Sequence, residues 1–211
     1  MTDPEKHIIK CPSLVCNELY YYVIPRSFHI LMTKEFSDGY IEFIPELKKY
    51  PVASRCGICG RFFFVDKQPV IAQFQHSLVD EFNSAKPLPA LSIEELFYML
   101  STDIITNRHD KIVLHRFILF SFHKFVRYSG KLNFSPQEEI LYYENISKLI
   151  EILEWPHANP KNYLLLSELY RYKKMWDKSL ESLDRVEGHE NFKAQIKAAC
   201  LAGNSAVFFV K

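Results

Sequence analysis

Two cysteine pairs, CPSLVC at residues 11–16 and CGIC at residues 56–59, decide how the first part of this 211-residue chain folds. A structural Zn²⁺ ion takes four ligands at the corners of a tetrahedron, and two closely spaced thiolates can bind one side of it. Asn17 and Gly60 directly follow the two pairs, and both residue types readily adopt the left-handed backbone of a tight turn. The sequence therefore predicts one structural zinc ion bound by Cys11, Cys16, Cys56 and Cys59.

Other interpretations of the same cysteines stay open at this stage. The four-residue gap of the first pair is wider than the usual two, and iron can occupy the same four-sulfur site. A redox dithiol at Cys56 and Cys59 requires a βαβ context, which the sequence lacks. A site closed by four thiolates has no open coordination position, so we expect it to stabilise a small domain and not to activate water.

Composition narrows the class of protein. Hydrophobic residues make up 48% of the chain, charged residues 24%, and the formal net charge is +1, which describes an ordinary globular protein without the basic excess of a duplex-DNA binder. The opening MTDPEKHIIK has no signal-peptide pattern, and no apolar run of about 18 residues follows. We expect a cytoplasmic protein with no membrane partner, and in that reducing compartment clustered cysteines are more often metal ligands or catalysts than disulfides. Cys200, in AACLAG, is expected to be a buried hydrophobic side chain.

The chain changes its pattern near residue 75, and we predict an α+β protein. Short aromatic and β-branched runs predict strands at 19–24, 28–33, 40–44 and 61–65. We assign residues 1–75 to a small β zinc ribbon, residues 76–91 to a linker and residues 92–211 to a larger all-α domain.

Helix-start signals support the second domain. Ser92 with Glu95, and Ser135 with Glu138, have the spacing of capping boxes, and Asn159 precedes Pro160 at a third start. With apolar periodicity from about 110 to 128, closed by Gly130, and onward to Leu153, closed near Pro156, we predict about six helices.

The segment YLLLSELYRYKKMWDKSLESLDRV, residues 163–186, has the spacing of a tetratricopeptide helix pair. Ser167 and Ser179 stand where two helices cross closely and require small side chains, although Lys174 replaces the usual turn glycine. Such repeats normally need about three neighbours, and only one copy is evident, at about residues 160–187. An ordinary antiparallel helix hairpin explains the same pattern equally well. A further helix over about 190–201 is expected to cover the pair.

Signals for catalysis or nucleic-acid binding are weaker. His109, His115 and His123 are not followed by a metalloprotease-type motif, and we identify no catalytic residue. A basic bias interleaved with phenylalanines runs through the same segment, and these phenylalanines are more typical of a core than of a base-stacking surface. The basic residues are Arg108, Lys111, Arg116, Lys124, Arg127 and Lys131, and the phenylalanines are Phe117, Phe120, Phe122 and Phe125.

The order of these segments resembles a family of uncharacterised bacterial proteins, common in Bacteroidetes-like genomes. The resemblance rests on CPSLVC, on CGICGRFFFV, on LSIEELFYML and on the helix-pair segment. It implies an N-terminal zinc ribbon, with Cys11, Cys16, Cys56 and Cys59 as its ligands, and a C-terminal tetratricopeptide-like region, but no reaction.

From this we expect a non-catalytic interaction protein whose zinc-stabilised ribbon and helical surface bind a protein partner. A nucleic-acid-associated zinc-ribbon protein is the alternative, and an enzyme is a third reading with only the histidines behind it. The sequence does not indicate the partner or the oligomeric state.

Overall fold

Strands fill the first part of the chain and helices the remainder, as predicted for an α+β protein. The structure is a computed structural model that describes residues 4–25, 30–44, 50–75, 80–129, 131, 133–155 and 159–210, with the Phe125 side chain excepted. The strands are β1 (Glu5–Lys10), β2 (Leu19–Ile24), β3 (Met32–Glu35), β4 (Ile41–Ile44), β5 (Ala53–Arg55), β6 (Phe62–Phe64), β7 (Val70–Phe74) and β8 (Lys86–Pro87). The helices are α1 (Ile93–Leu100), α2 (Arg108–Ser129), α3 (Pro136–Glu154), α4 (Tyr163–Tyr172), α5 (Trp176–Asp184) and α6 (Glu190–Leu201).

These elements form two compact units. The first contains Met1–Met32 and Phe43–Thr106, and the second contains Thr33–Glu42 and Asn107–Lys211. Helix α1 therefore belongs to the same unit as the cysteine pairs, and the turn between β3 and β4 belongs to the helical unit.

The first unit contains a four-stranded sheet in the order β7-β1-β2-β8. Strand β1 pairs antiparallel with both β2 and β7, while β8 is parallel to β2. Strands β5 and β6 form a separate antiparallel pair. Ile9, Tyr20, Phe63 and Val65 form a buried core in which three of the four paired cysteines also take part. The cysteines are therefore integral to the core of this unit.

The predicted strands are found at 19–24, and within one residue at β4 and β6. Residues 28 and 29 of the strand predicted at 28–33 lie outside the described residues, and β3 begins only at Met32. Strand β1 was not predicted, because its first half is charged or polar and its conformation depends on pairing with strands on both sides.

The described residues contain six α-helices, the number predicted. Both capping boxes are formed, since Ser92 accepts from the Glu95 backbone and Ser135 from the Glu138 backbone, with each glutamate bonding back. Asn159 caps a short 3₁₀ turn that leads into α4. The predicted stops at Gly130 and Pro156 lie outside the described residues.

In the second unit, α2 packs on α3, and α4, α5 and α6 pack in succession. The two predicted crossing serines meet between α4 and α5: Ser167 Oγ donates to the Ser179 carbonyl at 2.9 Å, and Ser179 Oγ donates to the Ser167 carbonyl at 2.8 Å. Cys200 is buried as predicted, with its sulfur 3.2 Å from Ser179 Oγ. Leu183, Phe192 and Ile196 belong to the same apolar cluster.

Helices α4 and α6 end in the same way but with different residues. After α4, Lys174 has φ +59° and donates to the Arg171 carbonyl, while Met175 donates to the Tyr170 carbonyl. After α6, Gly203 has φ +65°, and it and Asn204 make the equivalent bonds to the last turn of that helix. Both ends are Schellman motifs, in which glycine adopts the left-handed conformation without steric cost and lysine does not.

Replacing Lys174 by glycine should therefore stabilise the second unit, by about 0.5–1 kcal/mol. The matched change Gly203→Ala should destabilise it by about 1 kcal/mol, since no atom outside the turn would contact the new Cβ. Urea denaturation followed by the fluorescence of Trp155 and Trp176, which both lie in this unit, measures both effects. A destabilised Lys174→Gly variant would contradict the strain argument.

Candidate metal centre

Each cysteine pair lies in the turn of an antiparallel hairpin. The first cysteine turn, residues 11–18, joins β1 to β2, and the pairing of Lys10 with Leu19 closes it. The second cysteine turn, residues 56–61, joins β5 to β6, and the pairing of Arg55 with Phe62 closes it. Strand pairing thus closes both turns at their bases.

Backbone hydrogen bonds shape both turns. In the first, Cys11 N–H donates to the Glu18 carbonyl at 2.9 Å and Cys16 N–H to the Ser13 carbonyl at 3.1 Å. In the second, Cys56 N–H donates to the Arg61 carbonyl and Gly60 N–H to the Cys56 carbonyl, both at 2.9 Å. Gly60 has φ +72°, as its position suggested. Asn17 was expected to be left-handed as well, but positive φ among described non-glycine residues occurs only at Lys174 and His189.

The four sulfur atoms converge although 39 residues separate the pairs in sequence. All four Sγ atoms lie within 4.8 Å of one another. Cys11 Sγ is 3.5 Å from Cys59 Sγ, and Cys16 Sγ is 3.7 Å from Cys56 Sγ. A tetrahedron with Zn–S bonds of about 2.3 Å has edges of about 3.8 Å. The cysteines are therefore close enough to hold one metal ion, and none of them is in a disulfide.

Tyr20 supports the cluster from the β2 strand and was not identified from the sequence. Its buried hydroxyl donates to Cys56 Sγ at 3.4 Å and accepts from the Gly57 backbone N–H at 2.8 Å. Tyr20 thus connects the strand that follows the first cysteine turn to the start of the second. The β2 pattern LYYYVI predicted a strand, but nothing in it distinguishes Tyr20 from Tyr21 or Tyr22 as a residue that contacts a ligand.

The protonation of the cluster is uneven. Burial opposes ionisation of Cys56, but backbone N–H groups of Cys59 and Ile58 and the Tyr20 hydroxyl lower the pKa of this thiol to about 6. Burial and the neighbouring sulfurs raise the pKa of Cys11 to about 12. One sulfur is thus prepared as a thiolate at neutral pH, and a bound cation would favour the same form at the other three.

The same turns expose large apolar side chains at their tips. Leu14 is 99% exposed, Val15 92% and Ile58 67%, whereas Cys11, Cys16 and Cys56 beside them are buried. We call Leu14, Val15 and Ile58 the apolar tips. Each tip residue lies between the two cysteines of its turn, so the geometry of the sulfur cluster directly positions the exposed apolar surface.

A groove of about 590 Å³ opens beside the second cysteine turn. Its walls include Arg55, Cys56, Cys59 and, from the segment before and within α1, Leu91 and Glu95. Cys59 is the exposed member of the cluster, so the groove gives small molecules a path to its sulfur.

The three histidines considered for catalysis are not brought together in one pocket. His109 is exposed, while His115 and His123 are buried. His115 Nδ1 donates to Asn145 Oδ1 at 2.7 Å, and the Asn145 amide donates to the His115 carbonyl at 3.0 Å, an arrangement that joins α2 to α3. The groove and the cavity next to α5, which is lined by Pro160, Leu164, Arg185 and His189 among others, involve none of the three.

His123 instead belongs to a buried ionic cluster that sequence reasoning missed. Asp38, in the turn after β3, accepts from His123 Nδ1 at 2.9 Å and from Arg127 at 2.5 Å. His123 Nε2 lies 3.0 Å from the Tyr142 hydroxyl. Because burial lowers the pKa of His123, the ring is neutral, and with its proton on Nδ1 it accepts this bond at Nε2. The Arg127 guanidinium also lies 3.9 Å from the centre of the Tyr40 ring. Helix α2 thereby holds the β3–β4 turn, and Tyr142 of α3 supports His123.

A second buried pair lies on α4. Arg171 and Glu168 form a bidentate ion pair with both distances 2.7 Å, and Arg171 also donates to the carbonyls of Asn204 and Ala206 at 2.6 and 2.8 Å. The remaining guanidinium bond goes to Ser37 Oγ at 3.2 Å. The pair is completely buried and binds the C-terminal segment and the β3–β4 turn to α4. In the sequence, Glu168 and Arg171 are ordinary residues of a helix. Only the contacts of Arg171 with Ser37, Asn204 and Ala206 show that it holds distant segments together.

Two of the basic residues noted in this segment bind groups within the chain, Arg127 in the interior and Arg108 at an exposed position. Arg127 is buried against Asp38, and Arg108 donates to the carbonyls of Ile152 and Leu153 at the end of α3. Phe122 is buried among aromatic rings, as expected of a core phenylalanine.

Comparisons with known proteins find no matching family model, no matching curated protein and no matching solved structure. Within the described part of the chain, none of the helices combines the length and the apolar character needed to cross a membrane.

The stability of the second unit should fall as the pH drops below about 6.5. Burial lowers the pKa of both His115 and His123, whereas an unfolded histidine titrates near 6.5. Above that pH both states are neutral; below it the unfolded state binds protons that the folded state refuses, until the pH reaches the lowered folded pKa. Urea denaturation at pH 7.5, 6.5 and 5.5, followed by tryptophan fluorescence, measures the slope.

The variant His123→Gln should reduce that slope by about half, because one of two buried histidines remains. His109→Gln, at an exposed position, is the matched control and should leave the slope as it is. Equal slopes in the wild-type protein and the His123→Gln variant would show that His123 does not cause the pH dependence.

Proposed function

We propose that this chain is a non-catalytic interaction protein, in which one structural zinc ion on Cys11, Cys16, Cys56 and Cys59 holds two hairpin turns as a docking surface for another protein. The observation that carries the proposal is the exposure of the apolar tips on the very turns that contain the ligands. Leu14 and Val15 are neighbours on the first cysteine turn and Ile58 lies on the second, and grouped exposed apolar side chains are typical of interaction surfaces.

The chemistry of the site supports a structural role for the ion. Four thiolates complete a zinc tetrahedron and leave no position for water or substrate. The arrangement of two hairpins that each contribute a cysteine pair supports the zinc-ribbon interpretation. Clustered reduced thiols also support a cytoplasmic location.

The energetics support docking through the tips. Covering an exposed leucine, valine or isoleucine side chain contributes about 1.5–3 kcal/mol each. A metal-closed turn is already ordered before binding, so less conformational entropy is lost when a partner covers it. The partner that this surface fits is a protein with an apolar cleft that accepts the tips.

The helical unit is proposed as a second surface, with α4 and α5 as a tetratricopeptide-like pair. The reciprocal serine bonds at their crossing and the left-handed Lys174 at their turn support that interpretation. The proposed relationship to the bacterial ribbon-and-helix family rests on the sequence resemblance alone. The nucleic-acid alternative receives less support, because Arg108 and Arg127 already have partners inside the protein.

Purified protein should contain one zinc ion per chain, and Cys56→Ser should lose it, because a neutral serine hydroxyl cannot replace a thiolate. Metal binding and folding are coupled in small metal domains, so the variant should also lose ordered structure in the first unit. The matched control is Cys200→Ser, a cysteine outside the cluster. Elemental analysis and circular dichroism measure both effects. Iron in place of zinc would refute the choice of metal, and full metal content in Cys56→Ser would refute the site.

The double variant Leu14→Ser/Val15→Ser should retain its zinc and lose the partner. The control is Ile140→Ser on α3, where an isoleucine is exposed to the same degree as Ile58. Immobilised wild-type and variant proteins are compared by affinity capture and cross-linking from cells that express the chain. A protein retained by the wild type and by Ile140→Ser, but not by the tip variant, supports the docking surface. Equal capture by all three would contradict it.

A further inference from the structure

We propose that Cys59 is an oxidation site, at which a peroxide attacks the metal centre and converts Cys59 and Cys11 into a disulfide that releases the ion. This inference rests on the proposed metal site. It extends that proposal by making the docking surface dependent on the redox state of the cell.

The four cysteines of the cluster differ in their accessibility to solvent. Cys11, Cys16 and Cys56 are 3%, 6% and 1% exposed, whereas Cys59 is exposed. Oxidation of cysteine follows thiolate character and access to the oxidant. Metal binding makes all four cysteines thiolates, so access decides which of them reacts.

The groove beside the second cysteine turn gives an oxidant a route to Cys59. It opens directly onto Cys59 and has room for a small oxidant. Arg55 lines the same groove and donates to the Gly60 carbonyl at 3.3 Å, next to Cys59. Arg55 also forms an ion pair with Glu95 at 3.5 Å, so the opening offers guanidinium N–H donors to an oxidant without a net positive charge.

The sulfur of Cys11 is placed to resolve an oxidised Cys59. Cys11 Sγ lies 3.5 Å from Cys59 Sγ, on the opposite cysteine turn. A sulfenic acid at Cys59 would therefore have a second thiolate within reach. Cys16 and Cys56 are left as the other close pair, at 3.7 Å.

The chemistry balances without a further reagent. The Cys59 thiolate attacks one peroxide oxygen, an S–O bond forms, the O–O bond breaks and hydroxide leaves. The Cys11 thiolate then attacks the Cys59 sulfur, an S–S bond forms and the second hydroxide leaves. Two thiolates have lost two electrons to one hydrogen peroxide, and the ion keeps only two of its four ligands, so its affinity falls.

The consequence is a loss of order at the apolar tips. Residues Leu14 and Val15 lie between Cys11 and Cys16, and Ile58 lies between Cys56 and Cys59. Each tip is therefore held between one sulfur that enters the disulfide and one that does not. Oxidation changes the geometry of both turns at once.

The test uses the full chain carrying Cys200→Ser, so that every remaining cysteine belongs to the cluster. Zinc content is measured first, and protein without metal would refute the proposed site before any oxidant is added. Hydrogen peroxide is then added, released zinc is followed with a chromogenic chelator, and disulfides are mapped by mass spectrometry of unreduced peptides. We expect zinc release together with a Cys11–Cys59 disulfide, reversed by a thiol reductant and added zinc. Zinc that stays bound in excess peroxide, or a first disulfide between Cys16 and Cys56, would overturn the inference.

A variant distinguishes the accessibility of the Cys59 sulfur from the role of this residue as a metal ligand. Cys59→His keeps four zinc ligands but removes the exposed sulfur, so zinc should stay bound and its release by peroxide should slow at least about tenfold. Release at the wild-type rate would overturn the inference. If this variant does not bind zinc, the Cys200→Ser protein is treated with a limiting amount of iodoacetamide instead. We expect Cys59 to be the first cysteine alkylated. Any other order would overturn the proposal.

Discussion

The convergence of four sulfur atoms from two hairpin turns is the constraint on which the first unit depends. Strand pairing closes each turn locally, whereas the sulfur cluster, supported by the Tyr20 hydroxyl, joins the β1–β2 hairpin to the β5–β6 hairpin. The cysteines are also part of the buried core, together with Ile9, Tyr20 and Phe63. In a unit with such short strands, a metal ion bound by these four cysteines would add cohesion that a small apolar core does not provide by itself.

In the second unit, buried charges hold the β3–β4 turn and the C-terminal segment in place. The β3–β4 turn is held by Asp38, through His123 and Arg127, and the C-terminal segment is held by Arg171, which Glu168 neutralises. Buried ion pairs contribute little net stability, because desolvation offsets their attraction, but breaking one leaves an unpaired charge and costs about 3–5 kcal/mol. These pairs therefore select one placement of the turn and the C-terminal segment over others. The role of these ion pairs is to fix the positions of the two segments, and this role does not require contact with solvent.

Much of the fold follows from local pattern. Capping boxes at Ser92 and Ser135 set two helix starts because each satisfies exposed N–H groups within four residues, a purely local event. The limits of α6 and of β2 were also predicted from local residue pattern. Strand β1 escaped prediction because it owes its conformation to partners at residues 19–24 and 70–74. The left-handed conformation was expected at both Gly60 and Asn17 but occurs at Gly60, where the backbone turns back to Cys56.

The sequence by itself determined which residues can bind a metal, since thiolate chemistry and the spacing within each pair are local properties. Only the tertiary structure decided that the two pairs meet, that Tyr20 supports them, and that Cys59 alone among them lies exposed. It also decided that His123, one of the three histidines behind the enzyme reading, and Arg127, part of the basic bias, are partners of Asp38 in the interior. The physical reason is the same in each case. Residue type sets what a side chain can do, whereas burial and the groups brought against it from distant parts of the chain set what it does.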